Sequence, residues 1–156
     1  MYIFDGAMGT MLQAAGLEEG YCPELFNVER PEVVKNIHAQ YLQHGSDVIT
    51  TNTFGACGLK LEDYDLQDRV KEINIAAVKV AKEAIAEFKP SARVAGSMGP
   101  TGRFLQPLGN MSFDSIYDTY KEQAEALIEG GVDFIIIETI IDVQEMRAAL
   151  LASLDA

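Results

Sequence analysis

Hydrophobic and polar residues follow two regular patterns along the chain. Short apolar or β-branched runs predict buried strands at residues 2–4, 47–54, 93–98 and 133–138. Apolar side chains spaced three or four residues apart predict amphipathic helices at residues 31–44, 66–88, 113–129 and 142–151. Strand and helix therefore alternate four times, and helices of this length suit crossovers between parallel strands. Residues 16–31 show no clear period and predict a long, structured loop.

One part of this pattern occurs twice. Residues 45–53 align without a gap with residues 131–139, and each copy consists of a helix end, a turn, a strand and a polar tip. Because side chains alternate along a strand, Asn52 and Glu138 are expected at equivalent carboxyl ends, facing the same side. Ligands bind at that end in parallel α/β folds.

Four strand–helix units fit two architectures, a small open sheet or half of an eight-stranded barrel. A complete (β/α)8 barrel takes about 250 residues, and this chain has 156 residues. The pattern alone leaves both architectures open. Either one leaves two exposed sheet edges, so a half-barrel is expected to need a partner.

Composition and charge exclude several classes of protein. The chain has 24 acidic and 12 basic residues and a formal net charge of -12, which argues against a nucleic-acid partner. Uninterrupted apolar runs such as Phe134–Ile137 are far shorter than the roughly 20 residues of a membrane span. The first residues lack the pattern of a secretory signal. We therefore expect a cytoplasmic globular protein without a membrane partner.

Polar residues that follow the predicted strands are the candidates for chemistry. The glycine turn at residues 5–10 could present backbone N–H groups to a carboxylate or phosphate, or could simply be a tight turn. Asp5 could pair with a ligand ammonium or cap the next segment. Glu138 follows four apolar residues, so it must reach solvent or be paired. The Asn52 amide can donate to and accept from a polar ligand.

The cysteines and histidines do not form a recognisable catalytic or metal-binding set. Cys22 and Cys57 are too few for a disulfide scaffold and lack the paired spacing of a metal site, so buried, idle thiols are the favoured interpretation. His38 and His44 have no neighbouring serine or cysteine in a nucleophile-like context. No catalytic residue and no metal ligand is predicted within the chain.

Taken in order, the motifs resemble those of the homocysteine S-methyltransferase family nearly from end to end. They are residues 5–10 (DGAMGT), 24–27 (ELFN), 31–34 (PEVV) with His38, 45–55 (GSDVITTNTFG), 99–102 (GPTG), 107–109 (PLG) and 131–139 (GVDFIIIET). The resemblance implies an α/β fold of the (β/α)8 TIM barrel type. Residues 1–156 would form its first four units, the N-terminal half of a homocysteine-binding domain, with no second domain.

The resemblance also implies a binding site for homocysteine at the carboxyl-end mouth of the barrel. Two acidic side chains, Asp5 and Glu138, match the positions that bind the amino group. Backbone amides of Gly6, Ala7 and Met8 match those that meet the carboxylate, and Asn52 matches a polar residue that lines the same mouth.

The family's chemistry depends on zinc, which the resemblance places on three cysteine thiolates beyond Ala156. Zinc would keep the homocysteine thiol as a thiolate for attack on an activated methyl group. Neither Cys22 nor Cys57 matches a ligand position. The methyl donor implied is methylcobalamin recharged from methyltetrahydrofolate, both bound by other domains. The expected function is thus homocysteine binding within a methionine-forming methyltransferase, without activity in this chain alone.

Two other functions remain open at this point. The chain could be an assembly module that pairs two half-barrels, or a barrel methyltransferase that acts on another small thiol. The expected partners are homocysteine and, to close the barrel, either the missing C-terminal half or a second copy of the chain.

Overall fold

Three parallel strands form the central sheet of the computed structural model, which describes residues 1–156. They are β1 (Val48–Thr50), β2 (Arg93–Met98) and β3 (Phe134–Ile137), and their order in the sheet is their order in the chain. Ile49 lies opposite Val94, and Gly96 lies opposite Ile135. A parallel bridge between Phe4 and Val48 adds a fourth segment beside β1.

Seven α-helices surround this sheet. They are α1 (Gly9–Ala14), α2 (Phe26–Glu29), α3 (Pro31–Gln43), α4 (Gly58–Leu61), α5 (Val70–Phe88), α6 (Phe113–Gly130) and α7 (Val143–Leu154). The four long helices are α3, α5, α6 and α7, and each packs against the next in this order. None of the helices combines the length and apolar character needed to cross a membrane. The predicted alternation of strand and helix is confirmed.

Local sequence signals explain where the long helices begin and end. Pro31 occupies the first turn of α3, where its missing N–H costs nothing. The side chains of Ser112 and Asp142 cap α6 and α7 by accepting hydrogen bonds from the Ser115 and Gln144 amides. Gly131 ends α6 in the left-handed conformation, with a φ of 87°.

The largest apolar cluster lies between the sheet and its last two long helices. Its fully buried members include Tyr120, Leu127 and Ile116 of α6, Met98 of β2 and Val78 of α5. Alanines of α7 close the cluster, since they allow α7 to approach α6 closely. Burial of these apolar faces is the main force that holds the layers together.

Two predicted strands are shorter than expected because side chains take over backbone pairing. In the predicted strand at 2–4 only Phe4 forms a bridge, and the Asp5 carboxylate then accepts the Thr50 amide. The predicted strand at 47–54 ends at Thr50, although the Thr51 amide still bonds to Ala95. Beyond this point the Thr51 and Thr53 hydroxyls bond to each other, which competes with the strand ladder.

The predicted long, structured loop at 16–31 contains a 3₁₀ turn at Pro23–Leu25 and the short helix α2. One further expectation was wrong. β3 was expected to be fully buried, but its four residues are only half-buried. The reason is that β3 pairs with β2 alone and forms one edge of the sheet.

The sheet is strongly curved. Phe4 and Phe134 belong to the first and last of the four parallel segments, and their rings meet edge to face with centroids 6.1 Å apart. In a flat sheet, three strand spacings would separate the two segments by about 14 Å. The two side chains therefore meet across a concave face, as they do when a sheet begins to close into a barrel.

Glu145 of α7 connects this helix to the segment that follows β2. Its side chain is only 3% exposed. Its Oε1 accepts hydrogen bonds from the Thr101 amide at 2.8 Å, the Thr101 hydroxyl at 2.6 Å and the Tyr120 hydroxyl at 3.0 Å. This carboxylate therefore ties together α6, α7 and the turn at residues 99–102.

We predict that Glu145→Ala lowers the free energy of unfolding by about 3 kcal/mol, because the buried amide and hydroxyl of Thr101 lose their acceptor and Tyr120 keeps only its bond to the Gly99 carbonyl. Urea denaturation measures this change. The control is Glu87→Ala, which removes an exposed ion pair with Lys35 and should leave stability nearly unchanged. Equal stability losses in the two variants would contradict the role given to Glu145.

His38 is buried in the apolar surface of α3, and neither ring nitrogen has a hydrogen-bond partner. Burial lowers the pKa of this imidazole to about 4. The unfolded chain binds the proton near pH 6.5, whereas the folded protein does so only near pH 4. His38 therefore makes the folded protein lose stability as the pH falls from about 6.5 towards 4, by up to about 3 kcal/mol.

We predict that His38→Leu is more stable than the wild-type protein, and that its advantage grows between pH 7 and pH 5. Comparing the two proteins at each pH cancels the titration of all other groups. Thermal or urea unfolding at both values measures the advantage. An advantage that is the same at pH 7 and pH 5 would show that His38 is protonated normally in the folded state.

Candidate functional site

A cavity of about 180 Å³ opens at the carboxyl ends of the parallel segments. It is lined by Gly6, Ala7, Met8, Thr50, Thr51, Asn52, Phe54, Ser97 and Glu138. Five of the six residues predicted to bind the substrate are among them, and Asp5 contacts the cavity wall through Thr50. Larger hollows of about 300 to 490 Å³ lie between helices and loops, away from the strand ends.

Asp5 joins the first parallel segment to β1. Its Oδ2 accepts the Thr50 amide at 2.8 Å, and its Oδ1 accepts the Thr50 hydroxyl at 3.1 Å. Burial raises the pKa of Asp5 to about 6, the bonds from Thr50 oppose this rise, and the negative charge of Glu138 adds to it. The carboxylate therefore caps the neighbouring strand, not the next segment of its own chain, and lies within electrostatic reach of Glu138.

Glu138 is held in place from behind by a chain of hydroxyl groups. The Ser97 hydroxyl donates to Glu138 Oε1 at 2.6 Å. Ser97 is itself fixed, because its amide donates to Thr51 Oγ1 at 3.1 Å and its carbonyl accepts the Thr53 hydroxyl at 2.7 Å. Thr139 follows with a positive φ of 63°, a rare conformation for a β-branched residue. Such strained backbone is common where a side chain must be aimed at a ligand.

Asn52 lines the cavity, but its amide group already has a structural task. Its Nδ2 donates to the Pro23 carbonyl at 2.8 Å, and its main-chain carbonyl accepts the Asn27 side chain at 2.7 Å. Asn52 thus anchors the 3₁₀ turn and α2 against the end of β1. Its repeat equivalent, Glu138, bonds to Ser97 instead, so the two equivalent positions have different environments.

The loop at residues 6–8 supplies unpaired backbone donors. None of the amides of Gly6, Ala7 and Met8 donates a hydrogen bond within the chain. Two carbonyls of this loop are engaged, because Ala7 accepts the Tyr41 hydroxyl and Met8 accepts the Leu12 amide. A loop with bound carbonyls and free amides is suited to an anionic ligand.

The residues present do not fit a thiolate metal site. Cys22 and Cys57 are both buried. Burial raises the pKa of Cys22 to about 12 and that of Cys57 to about 11, and the Cys22 thiol donates to Glu24. No group of three or more histidine, cysteine, aspartate or glutamate side chains is arranged to hold a metal ion.

Sequence reasoning did not select Thr50, Ser97 or Tyr41 as residues of the site. Ser97 carried a usable signal, since a polar residue within a buried strand must have a hydrogen-bond partner. Thr50 has no such signal, because threonine is ordinary in a strand. Tyr41 lies on α3 with the apolar spacing of a core residue, so its contact with the loop at 6–8 was not foreseeable.

Comparison with known proteins assigns nearly the whole chain to one protein family. A family model described as homocysteine S-methyltransferase matches residues 2–155. Among curated proteins, the methionine synthase of Mycobacterium tuberculosis is 40% identical over 159 residues, and that of Mycobacterium leprae is 38% identical. Each match covers 96% of this chain but only 13% of the relative, so the chain spans a small part of those proteins.

Solved structures of the Escherichia coli homocysteine methyltransferase MmuM are similar to the whole chain. The oxidized form matches with a TM-score of 0.81 and 26% identity, covering 99% of this chain and 58% of MmuM. The metallated form matches with the same TM-score and identity and is covered over 59% of its length. The expectation of an α/β fold that amounts to about half of a (β/α)8 barrel is therefore confirmed.

We predict opposite changes in the pKa of Asp5 from two substitutions. Thr50→Val should raise this pKa above about 6, because it removes a hydrogen bond to the charged form. Glu138→Gln should lower it, because it removes a nearby negative charge. Carboxyl ¹³C titration by NMR measures both changes. Glu129→Gln, which alters an exposed residue paired with Lys71, is the control. Shifts in the same direction would disprove the assigned environment of Asp5.

Proposed function

Because the chain belongs to the homocysteine S-methyltransferase family, we propose that residues 1–156 form the homocysteine-binding part of an enzyme that makes methionine. The observation that carries this proposal is that Glu138 and three residues with free amides line one cavity, with the Asp5 carboxylate behind the cavity wall. Homocysteine has an ammonium and a carboxylate on one carbon atom. A ligand of this kind needs hydrogen-bond acceptors and donors side by side.

The ammonium group would be bound by Glu138, with Asp5 beside it. Ser97 fixes one oxygen of Glu138, which leaves the other oxygen for a ligand. Asp5 and Glu138 repel each other when both are charged, as the raised pKa of Asp5 indicates. A bound cation would remove this repulsion and lower the pKa of Asp5. Binding is therefore expected to strengthen as the pH rises through about 6.

The carboxylate would be bound by the amides of residues 6–8, which have no other partner. Met8 and Phe54 also line the cavity and offer apolar contact to the methylene groups that lead to the sulfur. Phe54 is kept in position because its ring packs against Gly99, where a Cβ atom would come within 2.6 Å of the ring. These contacts orient the substrate but leave activation of its thiol to other groups.

Activation of the thiol is proposed to depend on residues outside 1–156. The family's motifs imply zinc, and no set of side chains in this chain fits a thiolate-bound metal. Methylcobalamin and methyltetrahydrofolate, as the methyl donor and its source, would likewise bind elsewhere in the whole protein. We accordingly expect residues 1–156 alone to bind homocysteine without transferring a methyl group.

A partner must also cover the open sheet edges. Phe4 is 42% exposed, and the apolar residues of β3 are half-buried. The remaining half of the barrel is the partner that the family match favours, and a second copy of the chain is the alternative. A stable dimer of residues 1–156 in light scattering would favour the second copy.

We predict that homocysteine binds to the wild-type chain under reducing conditions and that Glu138→Gln weakens this binding by about 10-fold or more, through loss of a charged hydrogen bond. Isothermal titration calorimetry measures both affinities. With 4-sulfanylbutanoate, which lacks the amino group, the two proteins should bind equally. Glu129→Gln should bind homocysteine like the wild-type protein.

Three outcomes would count against this function. Absence of homocysteine binding by the folded wild-type chain would refute the proposed function. Equal affinity for cysteine and other small thiols would point to a methyltransferase with another substrate. A Glu138→Gln protein that binds homocysteine normally would remove Glu138 from the ammonium site.

A further inference from the structure

Tyr41 lies directly behind the loop at residues 6–8. Its hydroxyl donates to the Ala7 carbonyl at 2.9 Å. Its ring packs so closely on Gly6 that a Cβ atom there would lie 3.0 Å from the hydroxyl oxygen and 3.1 Å from the ring atom Cε1. Tyr41 is not one of the residues that line the cavity, whereas Gly6, Ala7 and Met8 all are. The loop therefore separates Tyr41 from the cavity.

Peptide geometry links this contact to the free amides. The only cis peptide bond in the chain precedes Pro107, so the bond between Ala7 and Met8 is trans. In a planar trans peptide the carbonyl and the following N–H point in opposite directions. The Ala7 carbonyl points towards Tyr41. The Met8 N–H must therefore point away from Tyr41.

We propose that Tyr41 is a positioning residue for the substrate carboxylate, because it holds the Ala7 carbonyl on the side of α3 and thereby turns the Met8 N–H into the cavity. The inference rests on the proposed function, since it concerns the binding of homocysteine at the same site. The proposal gives Tyr41 a role in binding although Tyr41 would contact no substrate atom: it would set the direction of the Met8 N–H, which would donate to the substrate.

Tyr41 is a fixed attachment point for the loop because it belongs to the long helix α3. Tyr41 lies in the last turn of α3, where its main-chain carbonyl accepts the amides of His44 and Ser46. Its ring is half-buried beside Ile37 and Leu42. On the other side of the loop, the Met8 carbonyl accepts the Leu12 amide at 3.0 Å. With both carbonyls held, the Met8 N–H keeps its direction before any ligand arrives, which is the condition for a preorganised site.

The test is an NMR titration of the ¹⁵N-labelled chain with homocysteine and with its methyl ester, which lacks the carboxylate charge. Tyr41→Phe keeps the ring and removes only the hydroxyl. We expect it to weaken homocysteine binding by about 3- to 10-fold, the range for loss of one hydrogen bond, and to leave ester binding unchanged. The Met8 amide proton should move downfield on homocysteine binding in the wild-type protein and less so in the variant.

The matched control is Tyr117→Phe, which removes a tyrosine hydroxyl bonded to Asp155 far along the chain. It should bind both ligands like the wild-type protein. Equal weakening for homocysteine and ester in Tyr41→Phe would show a merely structural role, and unchanged homocysteine binding would refute the positioning role. Absence of homocysteine binding by the wild-type protein would instead overturn the proposed function itself.

Discussion

Parallel pairing of four chain segments is the constraint on which the candidate site depends. It brings the residues after Phe4, β1, β2 and β3 to one edge of the sheet. At this edge some main-chain amides have no carbonyl of a neighbouring strand to bond to, and polar side chains accept their hydrogen bonds instead. The Asp5 carboxylate accepts the Thr50 amide, and the Thr51 hydroxyl accepts the Ser97 amide. Of these residues, Thr50, Thr51 and Ser97 also line the cavity, and Asp5 lies behind Thr50.

The two carboxylates at this edge have distinct environments. The burial of Asp5 outweighs its bonds from Thr50 and raises its pKa to about 6. Glu138 has its direction fixed by Ser97 and by the strained backbone at Thr139. Under the proposed function, a ligand cation would meet Glu138, which Ser97 orients, and the neighbouring Asp5, whose pKa is about 6. Under the proposed function, this pair of carboxylates would favour a ligand that carries an ammonium group.

The periodicity of apolar residues made most of the fold predictable, whereas the contacts behind the site could not be predicted from the sequence. The spacing of apolar residues located α3, α5, α6 and α7, and the internal repeat placed Asn52 and Glu138 at equivalent strand ends. The half-burial of β3 was missed because an apolar run does not show how many neighbours a strand has. The Asn52 bond to Pro23 and the Tyr41 bond to Ala7 join residues that are distant in sequence. No local pattern encodes such pairs.

Curvature of the sheet is what brings the proposed ligand groups together. The free amides follow the first parallel segment, whereas Glu138 follows the last. Three strand spacings would place these groups about 14 Å apart in a flat sheet, too far for one amino acid to reach both. The contact between Phe4 and Phe134 shows that the concave face draws the two segments together. Under the proposed function, recognition of both charged groups of the substrate would therefore depend on the curved sheet, and no single strand–helix unit could provide it.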